Sequence, residues 1–198
     1  MPKAIKVDSS SEVLEISQQF QTNPLLWGMW YVPHHFRFKS ASFHLTVLKS
    51  AMTTQYLCIA APRSSSKSTL LEFLYPFHSI IFRKKRFIVV ISNTYKKAST
   101  ALDNIKKELK DVPRIKQDYN CLITRDAEGD SIFRYGDGFE TRVLCKGADQ
   151  IGSLRGEKFG AYRPDLIILD DVEDDEMVRS SERRIELQNV FDQVVMFL

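Results

Sequence analysis

Three short runs of uninterrupted apolar residues constrain this chain more than any other feature: Tyr56-Leu57-Cys58-Ile59-Ala60-Ala61, Phe87-Ile88-Val89-Val90-Ile91 and Leu166-Ile167-Ile168-Leu169. A strand with one face in water alternates apolar and polar residues, whereas a strand covered by helices on both faces reads as a continuous apolar run. The runs therefore predict a mostly parallel central sheet flanked by helices. Between the second and third, Tyr95, Ala98, Leu102, Ile105 and Leu109 recur at spacings of three and four, with Lys96, Lys97, Lys106, Lys107 and Lys110 mostly on other faces. That spacing predicts an amphipathic helix lying on the sheet. Asn120 to Thr124, Ser131 to Tyr135 and Glu140 to Cys145 are separated by turns bearing Gly129, Gly136 and Gly138, and predict a small antiparallel excursion before the third core strand. A last helix is expected from about Ser180 or Ser181, with Ile185, Leu187, Val190, Phe191 and Val194 facing inward.

With 198 residues, 43% of them apolar, the chain can bury one substantial core but not two comfortable ones, so residues 1–198 are expected to form a single α/β domain. The formal charge of +3 permits a nucleic-acid partner without demanding one. Cys58, Cys121 and Cys145 lack C-x-x-C spacing, and an odd count suits a reducing compartment. The first residues lack the apolar stretch of a signal peptide, and Glu72, Pro76 and His78 interrupt the greasiest segment, Leu70 to Phe82, before it reaches membrane-spanning length. A soluble, cytoplasmic protein is expected, neither secreted nor partnered with a membrane.

The first apolar run leads into Ala61-Pro62-Arg63-Ser64-Ser65-Ser66-Lys67-Ser68-Thr69 and then into the helical pattern Leu70, Leu71, Phe73, Leu74. Strand, loop, Lys-Ser and helix is the context of a phosphate-binding loop. There, backbone N–H groups at a helix N-terminus wrap the β-phosphate, a lysine reaches the β- and γ-phosphates, and the next hydroxyl ligates Mg2+. Lys67 and Ser68 fit those roles, with Arg63, Ser64, Ser65, Ser66 and Thr69 completing the candidate nucleotide-binding set. The strict pattern G-x-x-x-x-G-K-[ST] places glycine where this chain has Ala61 and Ser66. A left-handed backbone costs a non-glycine residue roughly 1 kcal/mol, which phosphate contacts can offset. A serine-rich turn that binds nothing is the bland alternative.

The third apolar run ends in Asp170-Asp171-Val172-Glu173-Asp174-Asp175-Glu176. A buried strand ending in paired carboxylates can present the first to a Mg2+ shell and the second to the water attacking a γ-phosphate. Asp170 is the candidate metal residue and Asp171 the candidate base, with Glu173 an alternative because glutamate reaches one methylene further. Asp174, Asp175 and Glu176 read more simply as an acidic turn or helix start. Together the loop and the acidic strand end predict a site for ATP with Mg2+.

The loop Ala61–Thr69 resembles the deviant phosphate loop of viral (phage) terminase large subunits, commonly A-P-R-G-x-x-K-S-T, with Arg63 as its early arginine and Ser64 in place of its glycine. Gly152-Ser153-Leu154-Arg155-Gly156 and Arg163 to Asp174 resemble the segment leading into the same family's acidic strand. The resemblance implies an ASCE-type P-loop NTPase core, the N-terminal ATPase domain of a DNA-packaging motor in the host-cell cytoplasm. It also implies partners: double-stranded DNA, a portal, a small terminase subunit and other copies of the chain in a homo-oligomeric ring, with the isolated domain a monomer. Arg155 is the position to which the family's intersubunit arginine carries over, and a surface ion pair is its bland alternative. The family's coupling strand and nuclease domain would lie beyond Leu198, so the chain is expected to be a fragment.

Weaker signals remain. The resembled family has an adenine-binding segment upstream of the loop, and Trp30-Tyr31-Val32-Pro33-His34-His35-Phe36 sits at a plausible distance to supply its stacking rings, although aromatic runs are more often core. His34, His35, His44 and His78 show no spacing with cysteine or acidic partners that would form a transition-metal site. Arg83-Lys84-Lys85-Arg86 can touch DNA phosphates or simply form a solvated loop. Two rival readings stay open: another nucleic-acid-dependent P-loop translocase, and a degenerate nucleotide-binding module without turnover.

Overall fold

The computed structural model describes residues 10–37 and 39–172, together with Glu182, Ile185, Gln188, Asn189 and Asp192. The chain divides into two compact units, Met1–Pro62 and Arg63–Leu198. In the first, α1 (Ser10–Thr22), α2 (Pro24–Tyr31) and α3 (Ser42–Thr53) pack in sequence order. Asn23 starts α2, its Oδ1 accepting from the Leu26 N–H at 3.0 Å, while Pro24 fills the first helical position, where no N–H is needed. Phe20, Trp27, Trp30 and Tyr31 pack ring against ring at centroid distances of 5.5–5.9 Å, and Trp27 and Tyr31 are buried core while Trp30, the first residue of the adenine segment, is half-buried.

The apolar run Tyr56 to Ala61 belongs to this unit and is not a strand, contrary to the sequence-based expectation. Tyr56 is 63% and Leu57 41% exposed. Apolar composition favours a strand only where a neighbour completes the hydrogen-bond ladder, and no strand pairs with this run among the described residues.

The second unit is an α/β layer structure built on one five-stranded sheet of order β2-β3-β4-β1-β5. The strands are β1 (Phe87–Ser92), β2 (Cys121–Ala127), β3 (Asp130–Tyr135), β4 (Glu140–Gly147) and β5 (Leu166–Asp170). β1 runs parallel to both β4 and β5, while β2, β3 and β4 pair antiparallel. The sheet is therefore mixed, not mostly parallel. The expected antiparallel excursion is present as β2, β3 and β4, and it is continuous with the core sheet because β4 pairs with β3 on one side and β1 on the other.

β1 is buried throughout, as its unbroken apolar run predicts. One sheet face carries Phe87, Val89, Ile91 and Leu144 against Ala148, Ile151 and Leu154 of a 3-10 segment, Ala148–Leu154. α5 (Tyr95–Asp111) packs on β1 and β4 through Ala98, Ala101, Leu102, Ile105 and Leu109. A π-helical turn, Thr69–Leu74, leads directly into α4 (Tyr75–Ile81), and α6 (Pro113–Tyr119) connects α5 to β2. The expected terminal helix falls largely outside the described residues, as do Leu187, Val190, Phe191 and Val194. Ile185 is described and is 61% exposed, so it does not face inward as expected.

Asp165 sets the start of the parallel pair. Its carboxylate accepts from the Arg86 N–H at 2.8 Å and the Phe87 N–H at 2.9 Å, fixing β5 against β1 one residue before the ladder begins. The neighbouring basic run is absorbed by the fold. Arg83 pairs with Asp137 at 2.5 Å and stacks over Tyr135, Lys85 donates to the Asp165 carbonyl at 2.7 Å, and Arg86 lies between Phe139 and Tyr162. All three cysteines are free, Cys121 and Cys145 in the core and Cys58 exposed. No helix among the described residues is long and apolar enough to cross a membrane.

Candidate functional site

Three parallel strands end together: Gly147 of β4, Ser92 of β1 and Asp170 of β5 lie in register across the sheet. Loops beyond the carboxyl ends of parallel strands are where ligands of α/β proteins collect. Here the helix that begins at Lys67 and continues through the π-turn packs against β5 and α5. The result brings together residues far apart in sequence. Ser68 Oγ donates to Asp170 Oδ2 at 3.1 Å, and Lys67 Nζ lies 3.3 Å from Asp170 Oδ1.

The loop before Lys67 turns through two non-glycine left-handed residues, Ser64 at φ 64° and Ser66 at φ 61°. Ser66 occupies the position where the strict phosphate-loop pattern has glycine, and Ser64 the position after the loop arginine. The backbone conformation that glycine would supply is thus present with serine in its place. The Ser66 carbonyl accepts from the Leu70 N–H at 3.0 Å, which starts the helix. Arg63 is exposed, and Thr69 opens the π-turn.

Asp170 is 8% exposed. Burial alone would push its carboxyl up, but Glu72, Lys67 and Ser68 together hold it below the usual carboxylate range. Glu72 is the partner that sequence reasoning missed. It was read only as an interruption in a greasy segment, yet it lies four residues after Ser68 on the same helix, and that spacing places two side chains on one face. Glu72 is 7% exposed; burial, reinforced by Asp170, pushes its carboxyl up to about 7. An acid at i+4 from the candidate metal hydroxyl was the available signal.

Asp171 points elsewhere. Its backbone is left-handed at φ 51°, its carbonyl accepts from the Asn93 N–H at 3.2 Å, and its exposed carboxylate meets Lys97 Nζ at 2.6 Å. The ion pair in turn raises the Lys97 pKa. Ser92 and Asn93, at the end of β1 beside both aspartates, also went unremarked in the sequence; Ser92 Oγ and Asn93 Oδ1 are buried without a hydrogen-bond partner among the described residues. Glu173 lies outside the described residues. Arg155 is exposed and directly follows the 3-10 segment that leaves β4. Lys106, expected on an outward face, is bound to Asp103 and Asp126 at 2.7 and 3.0 Å.

A hydroxyl and two carboxyl groups form a set of hard oxygen donors, which suits Mg2+ or Ca2+ and not a soft thiophilic metal. A lysine beside them and a loop of successive N–H groups before a helix suit a phosphate group. Neither protein-family models nor curated protein sequences give a match to this chain.

Proposed function

We propose that this chain carries the ATP-hydrolysing motor of a viral DNA-packaging terminase large subunit, using ATP and Mg2+ to move double-stranded DNA. The observation that carries the nucleotide part of this reading is the convergence of Lys67, Ser68 and Asp170 at the carboxyl ends of three parallel strands. Its support is that two degenerate sequence signals, neither sufficient alone, meet at hydrogen-bonding distance. In this reading the fold is a P-loop NTPase core. The terminase assignment draws on the resemblance of Ala61–Thr69, Gly152–Gly156 and Arg163–Asp174 to that family, and with it come the portal, the small subunit, a ring of copies and the viral host cytoplasm.

The roles follow from the chemistry of each group. Lys67 holds the β- and γ-phosphate oxygens, and the loop amides from Arg63 to Thr69 wrap the phosphate chain. Ser68 and Asp170 hold Mg2+, which neutralises charge on the phosphate oxygens. Asp171 orients the attacking water, with Glu173 the alternative acid. Arg155 reaches a neighbouring subunit's nucleotide, where a guanidinium is worth about 10³ to 10⁵ in rate in enzymes that use one.

One observation favours a second reading, binding without turnover: Lys97 holds the Asp171 carboxylate at 2.6 Å, the group that must be released to act as base. Calorimetry with a slowly hydrolysed ATP analogue, with and without Mg2+, tests the shared core of both readings. Tight Mg2+-assisted binding that is lost in folded Lys67→Ala is the expected result; no binding by the folded wild-type chain overturns the nucleotide site. Phosphate release stimulated by double-stranded DNA then separates the motor from the binding module.

A further inference from the structure

Glu72 is a buried acid whose surroundings do not account for it as a structural residue. The Asp170 carboxyl and the Ser68 hydroxyl are its polar neighbours and act on its titration, and among the described residues its Oε1 has no hydrogen-bond partner. A carboxylate retained in the core for stability would have its oxygens saturated by N–H or O–H donors, because unsatisfied buried oxygens cost free energy. Here the Ser68 hydroxyl proton goes to Asp170 Oδ2, leaving Glu72 facing an oxygen-rich, donor-poor space. The local charge balance points the same way. Among the described residues, the Asp170 and Glu72 pair has one ammonium at ion-pair distance, that of Lys67, 3.3 Å from Asp170; the nearby Lys97 is held by Asp171.

The π-helical geometry of Thr69–Leu74 bears on this arrangement. Such turns are uncommon and concentrate where a helix re-aims side chains at a functional site. This one spans Glu72 and begins one residue after Ser68.

We propose that Glu72 is a direct oxygen ligand of the divalent cation, forming with Ser68 and Asp170 a three-residue site that binds the metal before nucleotide arrives. The proposal rests on the nucleotide-site reading above and extends it. A hydroxyl and one carboxylate hold Mg2+ mainly through the phosphates that accompany it, whereas a second buried carboxylate supplies enough charge and oxygen to retain the cation alone. The consequence is an order of loading: metal first, then nucleotide.

Mn2+ alone, titrated into nucleotide-free protein and followed by electron paramagnetic resonance, tests this. Wild type is expected to bind Mn2+ in the absence of nucleotide, Glu72→Gln to bind it about tenfold or more weakly, and Glu72→Asp to lie between them. A folded Glu72→Gln that takes up Mn2+ as wild type does overturns the ligand assignment. If Lys67→Ala still abolishes analogue binding in that case, the nucleotide site stands without it; if wild type binds neither analogue nor Mn2+, both fall. Should Glu72→Gln fail to fold, electron–nuclear double resonance on Mn2+-loaded wild type with 13C-labelled glutamate carboxyls decides. A direct ligand coupling is expected, and its absence overturns the proposal.

Discussion

Ser68 and Asp170 stand 102 positions apart in the chain and meet at 3.1 Å, one opening a helix and the other closing a strand. Asp170→Asn keeps an acceptor for the Ser68 hydroxyl but removes the negative charge that Lys67 and a cation require. Lys67 is partly solvated, with its side chain 35% exposed, so its ammonium can rehydrate when the pair is lost. Urea denaturation should therefore place Asp170→Asn within about 1 kcal/mol of wild type. Calorimetry should find the Mg2+-dependent part of analogue binding gone.

Ser64 and Ser66 hold left-handed backbone, a conformation that costs an L-residue about 1–2 kcal/mol and glycine little. Part of that gain is returned, because glycine is more flexible in the unfolded chain. Ser64→Gly and Ser66→Gly are each expected to stabilise the protein by up to about 1 kcal/mol in chemical denaturation. A loss of stability in either variant would show that the serine side chains contribute contacts outweighing the backbone.

Glu72 gives the metal-free protein a distinctive response to pH. Its folded-state carboxyl is pushed from 4.5 to about 7. Below about pH 4.5 the group is protonated in folded and unfolded chains alike, and stability is unaffected. As the pH rises towards 7 the unfolded chain releases a proton that the folded chain keeps, so stability falls, and the loss is complete above about 7. Asp170 is depressed partly by the same proton sharing and offsets part of the effect: its contribution is present at neutral pH and lost in acid. The free energy of unfolding, measured by urea denaturation in chelator, should fall between pH 4.5 and 7 more steeply for wild type than for Glu72→Gln, by a few kcal/mol at most.

Gly147 joins β4 to the start of α5 at close range. A Cβ there would come within 2.9 Å of the Tyr95 backbone nitrogen and 2.4 Å of Asp149 Oδ1. The aspartate can swing away, but the first turn of α5 cannot without disturbing the sheet face it covers. Gly147→Ala is expected to destabilise by about 1–3 kcal/mol, read from the denaturation midpoint. A neutral result would mean that α5 shifts freely against β4.

Much of this architecture is legible in composition and spacing, and its failures have identifiable causes. Phe87 to Ser92 and Leu166 to Asp170 form strands because each apolar run finds a parallel neighbour. Tyr56 to Ala61 has the same composition and stays irregular, because pairing is a property of two segments and no local pattern encodes it. The mixed sheet was missed for a related reason: turn chemistry marks hairpins well, but whether a hairpin joins the core sheet depends on the far edge of β4. At the site, the residue types of Lys67, Ser68 and Asp170 announce themselves, whereas Glu72 is hidden by its surroundings. Apolar neighbours make an acid look like a flaw in a helix until the strand it faces is known.

Among the described residues β5 lies at one end of the strand order, hydrogen-bonded to β1, with Leu169 37% exposed just before Asp170. Opening in proteins proceeds from weakly supported segments inward, with free energies that rise toward the fully enclosed strands. The central β1 and the peripheral β5 should thus differ sharply in amide exchange, Val89 and Val90 slow and Ile168 and Leu169 fast. Asp170 is anchored on one of the two marginal strands of the described sheet, so fraying of that margin widens the spread of Lys67–Asp170 distances in solution.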